Sequence, residues 1–312
     1  MISSNTPALT VRFRGVRGST PSPGSGTLRY GGNTSCVEVR FRDELLILDA
    51  GTGIRNLGDD LMGEFGERAI TANLLISHTH WDHIQGLPFL APAYSPHNCI
   101  RVIAPHGRGT VLGRALKNQM IPMHFPVTLD QMQGLTEVEE LASDQTILGN
   151  FSISVIDLNH PGGCAGFRIE TAGATVAYLP DHEPYQKRSS ARAATPDARE
   201  EALVDFVRSV DLLILDTQYT EAEYQHRIGW GHGCLPESVA LAVAAGVRRL
   251  ALFHHDPSHN DQQIDQMVSG AQALAGASPL LVQGAAENEI IAFSATLSAI
   301  EKGRDAKKIA AV

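Results

Sequence analysis

The chain has 312 residues, 43% of them hydrophobic and 19% charged, which marks a globular protein large enough for one big two-layered core or two ordinary domains. Its formal charge of −9 argues against general affinity for long nucleic acid, where phosphate neutralisation supplies the sequence-independent attraction. No apolar run is long enough to span a bilayer, the N-terminus lacks the blocks of a signal peptide, and Cys36, Cys99, Cys164 and Cys234 form no C-x-x-C, so membrane, disulfide-framework and zinc-finger classes are set aside and cytoplasm is the default.

In chain order, the alternating segment Leu9–Val16 predicts a first strand, followed by glycine-rich loops at 17–26 and 31–35. Ser35–Phe41 and Glu44–Asp49 predict a hairpin turning at Arg42 and Asp43. Gly53–Phe65 reads as the first helix, Ala72–Ile76 as a buried strand, Ile84–Tyr94 as a helix, Cys99–Ile103 as a strand and Thr110–Gln119 as a helix. Strands crowd residues 136–180, with turns at Gly149 and Gly173. A helix over Asp197–Ser209 leads to a strand at Asp211–Asp216. Pro236–Ala245 reads as a short helix, Arg248–Phe253 as a strand, and Asp261–Ala275 as a last helix closed by Gly276. Strand-rich halves alternating with helices predict two sheets face to face with helices outside.

The densest chemical signal is Ser77–Gly86, where His78, His80, Asp82 and His83 place four metal-ligand side chains within six residues, directly after the apolar strand. Protonated imidazoles so close would repel one another. Neutral imidazoles and an ionised carboxylate are ordinary ligands of zinc and similar ions. Three further strands end in such groups: His160 after Phe151–Asn159, Asp181 after Thr175–Pro180, and His254 after Arg249–Phe253.

This H-x-H-x-D-H run followed by a single His, a single Asp and a last His resembles the signature of the metallo-β-lactamase superfamily, across nearly the whole chain. The resemblance implies a four-layer αββα sandwich, with the metals at one edge between the sheets. Because ligands from 78 to 254 must converge, it implies one domain over 9–295, flanked by a tail at 1–8 and a C-terminal helix or tail at 296–312. One metal is assigned to His78, His80 and His160, a second to Asp82, His83 and His254, and Asp181 bridges them. Two divalent ions about 3.5 to 4 Å apart can share a hydroxide and stabilise a leaving oxygen. With no thiolate in the set, zinc fits best, and manganese or iron are the alternatives. Asp82 therefore counts as both ligand and catalytic residue.

His254 and His255 are adjacent, and the family pattern favours His254, three residues before Pro257. Ser258 or Asp256 reads as a helix cap. The stretch from Gly231 to His254 resembles the C-terminal block of the ribonuclease Z and phosphodiesterase branch, in which His232 would act as general acid or hold a phosphate oxygen; a capping or packing role is the competing reading. Gly233 departs from the serine or methionine usual there. The first loop also resembles that branch, and its backbone amides and Arg17 are candidates for meeting a phosphate, although a tight turn is the plainer account. Trp81 and Trp230 read first as packing residues and second as stacking surfaces for a nucleobase. The segment 106–125 carries Arg108, Arg114 and Lys117 but no long basic arm of the kind that holds a transfer RNA, and its part as a lid or a homodimer contact stays open. The expectation is therefore a metal-dependent phosphodiesterase acting on a small phosphodiester partner such as a cyclic nucleotide. Ribonuclease Z-like RNA 3′ processing and lactone hydrolysis are the enzyme alternatives, and a metal-binding regulatory module is the non-enzyme one.

Overall fold

The structure, a computed structural model, describes residues 9–107, 109–135, 138–185 and 197–294. The tail assignments at 1–8 and 296–312, and Arg108, lie outside those residues. The chain first lays down β1 (Leu9–Gly15), β2 (Cys36–Phe41), β3 (Glu44–Leu48), β4 (Thr71–Leu75), β5 (Cys99–Ala104) and β6 (Glu139–Glu140). It then forms β7 (Gln145–Leu148), β8 (Phe151–Leu158), β9 (Cys164–Glu170), β10 (Thr175–Leu179), β11 (Leu212–Asp216), β12 (Arg249–Phe253) and β13 (Leu281–Gly284). A final β14 (Ile290–Phe293) returns to pair antiparallel with β1. The two seven-stranded sheets run β14-β1-β2-β3-β4-β5-β6 and β13-β12-β11-β10-β9-β8-β7. Both are mixed: β3, β4 and β5 are parallel neighbours, as are β10, β11, β12 and β13. Neither β13 nor β14 is among the expected strands, because each is only four residues long and exposes alternate positions.

The helices are α1 (Gly53–Phe65), α2 (Trp81–Ile84), α3 (Gly109–Gln119), α4 (Ala198–Phe206), α5 (Glu221–Tyr224), α6 (Leu235–Ala244) and α7 (Asp261–Ala275). The expected helix over 84–94 is instead α2 followed by two short 3-10 turns, Leu87–Phe89 and Ala91–Tyr94. Pro88 and Pro92 lack the amide a longer helix needs, so the chain turns twice. The last helix begins in a capping box between Asn260 and Gln263, so Asn260 is its cap; Asp256 accepts the amide of Ser258 in a local turn before it.

Strand alternation sorts the apolar side chains into three layers of contact. Leu46 and Leu48 of β3, Ile214 of β11 and Phe253 of β12 meet Phe13, Phe151 and Tyr178 between the sheets. Leu45 and Ile47 face the other way, onto Ile54 and Leu57 of α1. Leu213, Leu215, Leu250 and Leu252 pack under Leu203, Val239 and Ala271 of α4, α6 and α7. With both faces covered, the central parallel strands β11 and β12 are apolar except at one end, Asp216 of β11 and Arg249 of β12, while β4, β5 and β13 each carry one polar residue inside, Asn73, Arg101 and Gln283. This is the αββα sandwich, and its strand ends deliver the site. No helix among the described residues is long and apolar enough to cross a membrane.

Candidate metal centre

His78 and His80 lie on the loop after β4, and α2 carries Asp82 and His83 in a single turn, so two successive residues of the motif project from one rigid element. His160 follows β8, Asp181 follows β10, and His254 follows β12 directly. All seven side chains converge. Asp181 divides its carboxylate between two groups: Oδ2 is 3.5 Å from both His78 Nε2 and His160 Nε2, and Oδ1 is 3.0 Å from His83 Nε2 and 3.3 Å from His254 Nε2. His80 Nδ1 adjoins His160 Nε2 at 2.9 Å, and Asp82 Oδ2 lies 3.1 Å from His254 Nε2 and 3.3 Å from His83 Nε2.

The inward nitrogens of His78 and His83 and Oδ1 of Asp181 are buried without a hydrogen-bond partner. Orphaned polar atoms of this kind cost about 1 to 3 kcal/mol each unless something satisfies them. Nitrogen and oxygen lone pairs directed at common points from opposite sides suit divalent cations, so the cluster fits a dinuclear metal site.

The outward nitrogens are tied down. His83 Nδ1 meets Asp49 Oδ2 at 2.7 Å, His160 Nδ1 meets the carbonyl of Gly231 at 2.8 Å, and His254 Nδ1 meets Gln218 Oε1 at 3.0 Å. Each acceptor fixes the tautomer that turns the other nitrogen inward as a lone pair. Asp49 also accepts the amide and hydroxyl of Ser77 and the hydroxyl of Tyr178, so one carboxylate anchors the motif loop to both sheets. Neither Asp49 nor Gln218 stands out in the sequence. The signal available was a carboxylate ending an otherwise apolar buried strand, at Asp49 and again at Asp216.

Electrostatics follow from this crowding. Burial raises the Asp181 carboxyl, but the imidazoles of His254, His83 and His78 outweigh it and hold it well below the usual carboxylate range. Burial and the neighbouring His83 push His78 well down, which keeps it neutral and able to ligate. Burial also lowers His83, yet Asp181, Asp82 and Asp49 overcome it and raise that imidazole. Carboxylates thus outweigh burial at His83, whereas burial prevails at His78, His80 and His160 and lowers all three.

His232 stands beside the centre with Nδ1 3.0 Å from Asp216 Oδ2, and its ring stacks on His254 with centroids 4.9 Å apart. It is no helix cap, because Cys234 occupies that position on α6. Burial would lower its pKa, but Asp216, aided by Asp181 and Asp82, raises it to about 9. A Cβ on Gly233 would sit 1.9 Å from the carbonyl oxygen of Asp216, so the departure from serine or methionine has a steric cause. His255 turns away, with Nε2 2.9 Å from the carbonyl of Ala285. Arg17 does not reach the cleft: it is fully buried and donates to the carbonyls of Gly31, Asp256 and His259, pinning the first loop to the loop after β12. Trp81 and Trp230 are 78% and 60% exposed, so neither is a packing residue. The centre opens into a cleft of about 460 Å³ lined by Ser19, Thr79, His80, Trp81, Asp82, Asp181 and His232.

Fold and site together define a metal-dependent hydrolase of the metallo-β-lactamase type. Residues 46–255 match the family described as Beta-lactamase superfamily domain, more than half of the chain, and the protein belongs to that superfamily. A curated relative, Ribonuclease Z of Thermoplasma acidophilum, is 25% identical over 293 residues, covering 82% of this chain and 89% of the relative. Among solved structures, the metallo-beta-lactamase fold protein YhfI from Bacillus subtilis is 19% identical, with a TM-score of 0.66 over 92% of this chain and 99% of that one. The short form of human tRNase Z, also 19% identical, gives 0.58 over 92% of this chain and 100% of that one. The chain is thus similar to a ribonuclease Z in sequence and to a tRNase Z in fold over most of its length.

Proposed function

We propose that the protein hydrolyses phosphodiester bonds with two divalent ions, one held by His78, His80 and His160, the other by Asp82, His83 and His254, and both reached by Asp181. The observation that carries this reading is the division of the Asp181 carboxylate between the two histidine groups, each of which holds one buried nitrogen without a hydrogen-bond partner, Nε2 of His78 and Nε2 of His83. Zinc suits the donor set best. When bound, such a pair supplies Lewis-acid polarisation of a phosphoryl oxygen and a water activated at neutral pH. The chain's own residues do the remainder. Asp49, Gln218 and Gly231 orient the imidazoles. Asp216 holds Nδ1 of His232 and favours its protonated form, leaving Nε2 to donate to the departing oxygen as general acid.

The likeness to Ribonuclease Z supports an RNA phosphodiester as substrate class. A second reading, a small phosphodiester such as a cyclic nucleotide, is favoured by the net charge of −9 and by the segment between β5 and β6. Its described part forms a helix, α3, exposing Arg114 and Lys117, and no extended basic arm is found among the described residues. Metal analysis and a substrate panel test both. Two ions per chain with cleavage of precursor transfer RNA support the first reading, and turnover of cyclic nucleotides alone selects the second. Activity on lactones with neither phosphodiester would reject phosphodiester hydrolysis.

A further inference from the structure

Glu183 is buried, at 5% exposure, two residues beyond Asp181, and its carboxylate is spent on one loop. Oε1 accepts the amide of Gly229 at 2.7 Å and the hydroxyl of Tyr224 at 2.9 Å, and Oε2 accepts the amide of Gly231 at 2.8 Å. Its own backbone is clamped to the residue before His160: the Glu183 amide donates to the Asn159 carbonyl at 2.9 Å, and Asn159 Nδ2 donates to the Glu183 carbonyl at 2.8 Å. The clamped loop then closes the circuit, because the Gly231 carbonyl accepts Nδ1–H of His160. Gly231 has φ of +89°, and a Cβ there would lie 2.4 Å from His160 Nδ1, so the loop backbone sits directly against that ring. The same loop presents Trp230 to solvent between two glycines of positive φ and leads into His232.

We propose that Glu183 is a positioning residue: by holding the amides of Gly229 and Gly231 it sets the orientation of the His160 ring and the position of Trp230 between those two glycines. It acts on one half of the centre. His83 and His254 take their outward partners from Asp49 and Gln218, which Glu183 does not touch. The metal part of this inference rests on the ligand reading above; the loop part does not.

The test uses the full chain carrying Trp81→Phe, which leaves Trp230 as the sole tryptophan. Glu183→Gln sets an amide NH₂ against one of the two loop amides. In metal-free protein it is expected to raise acrylamide quenching of Trp230 and lower its anisotropy. In zinc titrations it is expected to weaken one of two ions roughly 10- to 100-fold and leave the other unchanged. Tyr224→Phe, which removes one hydrogen bond and keeps the carboxylate, is expected to retain both ions with a smaller change in quenching; should Glu183→Gln fail to fold, a Tyr224→Phe variant without any change in Trp230 quenching would overturn the proposal. Unchanged Trp230 signals and unchanged zinc affinities in Glu183→Gln overturn it. So does equal weakening of both ions, the mark of general loosening, or a freed Trp230 with both ions held as before. If the parent binds no zinc, the ligand reading fails, and the fluorescence arm still decides whether Glu183 pins the loop.

Discussion

The two halves of the metal centre are built from different materials. On one side His83 and His254 have no solvent exposure, and each is oriented by a side-chain oxygen anchored at a strand end, Asp49 after β3 and Gln218 just beyond β11. On the other side His80 is exposed, and His160 depends on the backbone carbonyl of a surface loop. The closed half also holds Asp49 and His254 at φ of 60° and 58°, a left-handed conformation that residues other than glycine rarely adopt. The closed half, buried between the sheets, keeps that strained backbone, while the open half presents His80 to the cleft.

Breaking the bridge between the halves has the largest expected effect. Asp181→Ala removes the carboxylate that faces both, so purified protein should carry neither ion in stoichiometric amount and hydrolysis should fall below detection. One or two ions in a fully active Asp181→Ala protein would refute the bridging assignment. Chelation of the parent should lower its melting temperature, because ions that bind only the folded state stabilise it.

The closed half can be broken alone. His254→Ala should lose the ion of Asp82 and His83 and keep the other, as read by metal analysis. His255→Ala removes a side chain that bonds the Ala285 carbonyl, and should keep both ions while losing some thermal stability. Metal loss from the His255 variant only would reverse the assignment.

His232 tests whether the cleft side supplies a proton. His232→Ala should slow turnover of a substrate with an alkoxide leaving group by about 10² to 10⁴-fold. A p-nitrophenolate leaving group, which departs without a proton, should lose far less. Equal losses for both, or loss of an ion, would reject the general-acid role. A smaller effect than for His254→Ala or His232→Ala is expected for Asp49→Asn, which keeps the shape but turns one oxygen into a donor facing Ser77, His83 and Tyr178. Roughly 10- to 100-fold weaker binding of the closed-half ion, with the open-half ion unaffected, is the expected titration result. Equal affinity for both ions in the variant and the parent would show that Asp49 has no part in orienting His83.

Much of this was legible along the chain. The candidate ligands were readable because four of them crowd into six residues and three more follow later strands, an order that resembles the superfamily signature. Two sheets face to face were readable from strand-rich halves alternating with helices, and the αββα order from the resemblance to the superfamily. The helix after the motif was misread because the apolar pattern of 84–94 outweighed Pro88 and Pro92. Arg17 was a candidate for phosphate because its loop is rich in glycine, yet it is buried on the Gly31 carbonyl nearby and on those of Asp256 and His259 from the far end of the chain.

The sequence by itself supplied the candidate ligand side chains, through their resemblance to the superfamily signature, and the strands that carry them, because strand periodicity and residue type are local properties. The tertiary structure alone decided which nitrogen of each histidine faces inward, which of His254 and His255 joins the centre, and which half is sealed from solvent. Those choices belong to Asp49, Gln218, Glu183 and the Gly231 carbonyl, ordinary groups whose partners lie 34 to 71 residues away in the chain and meet them only when the two sheets close.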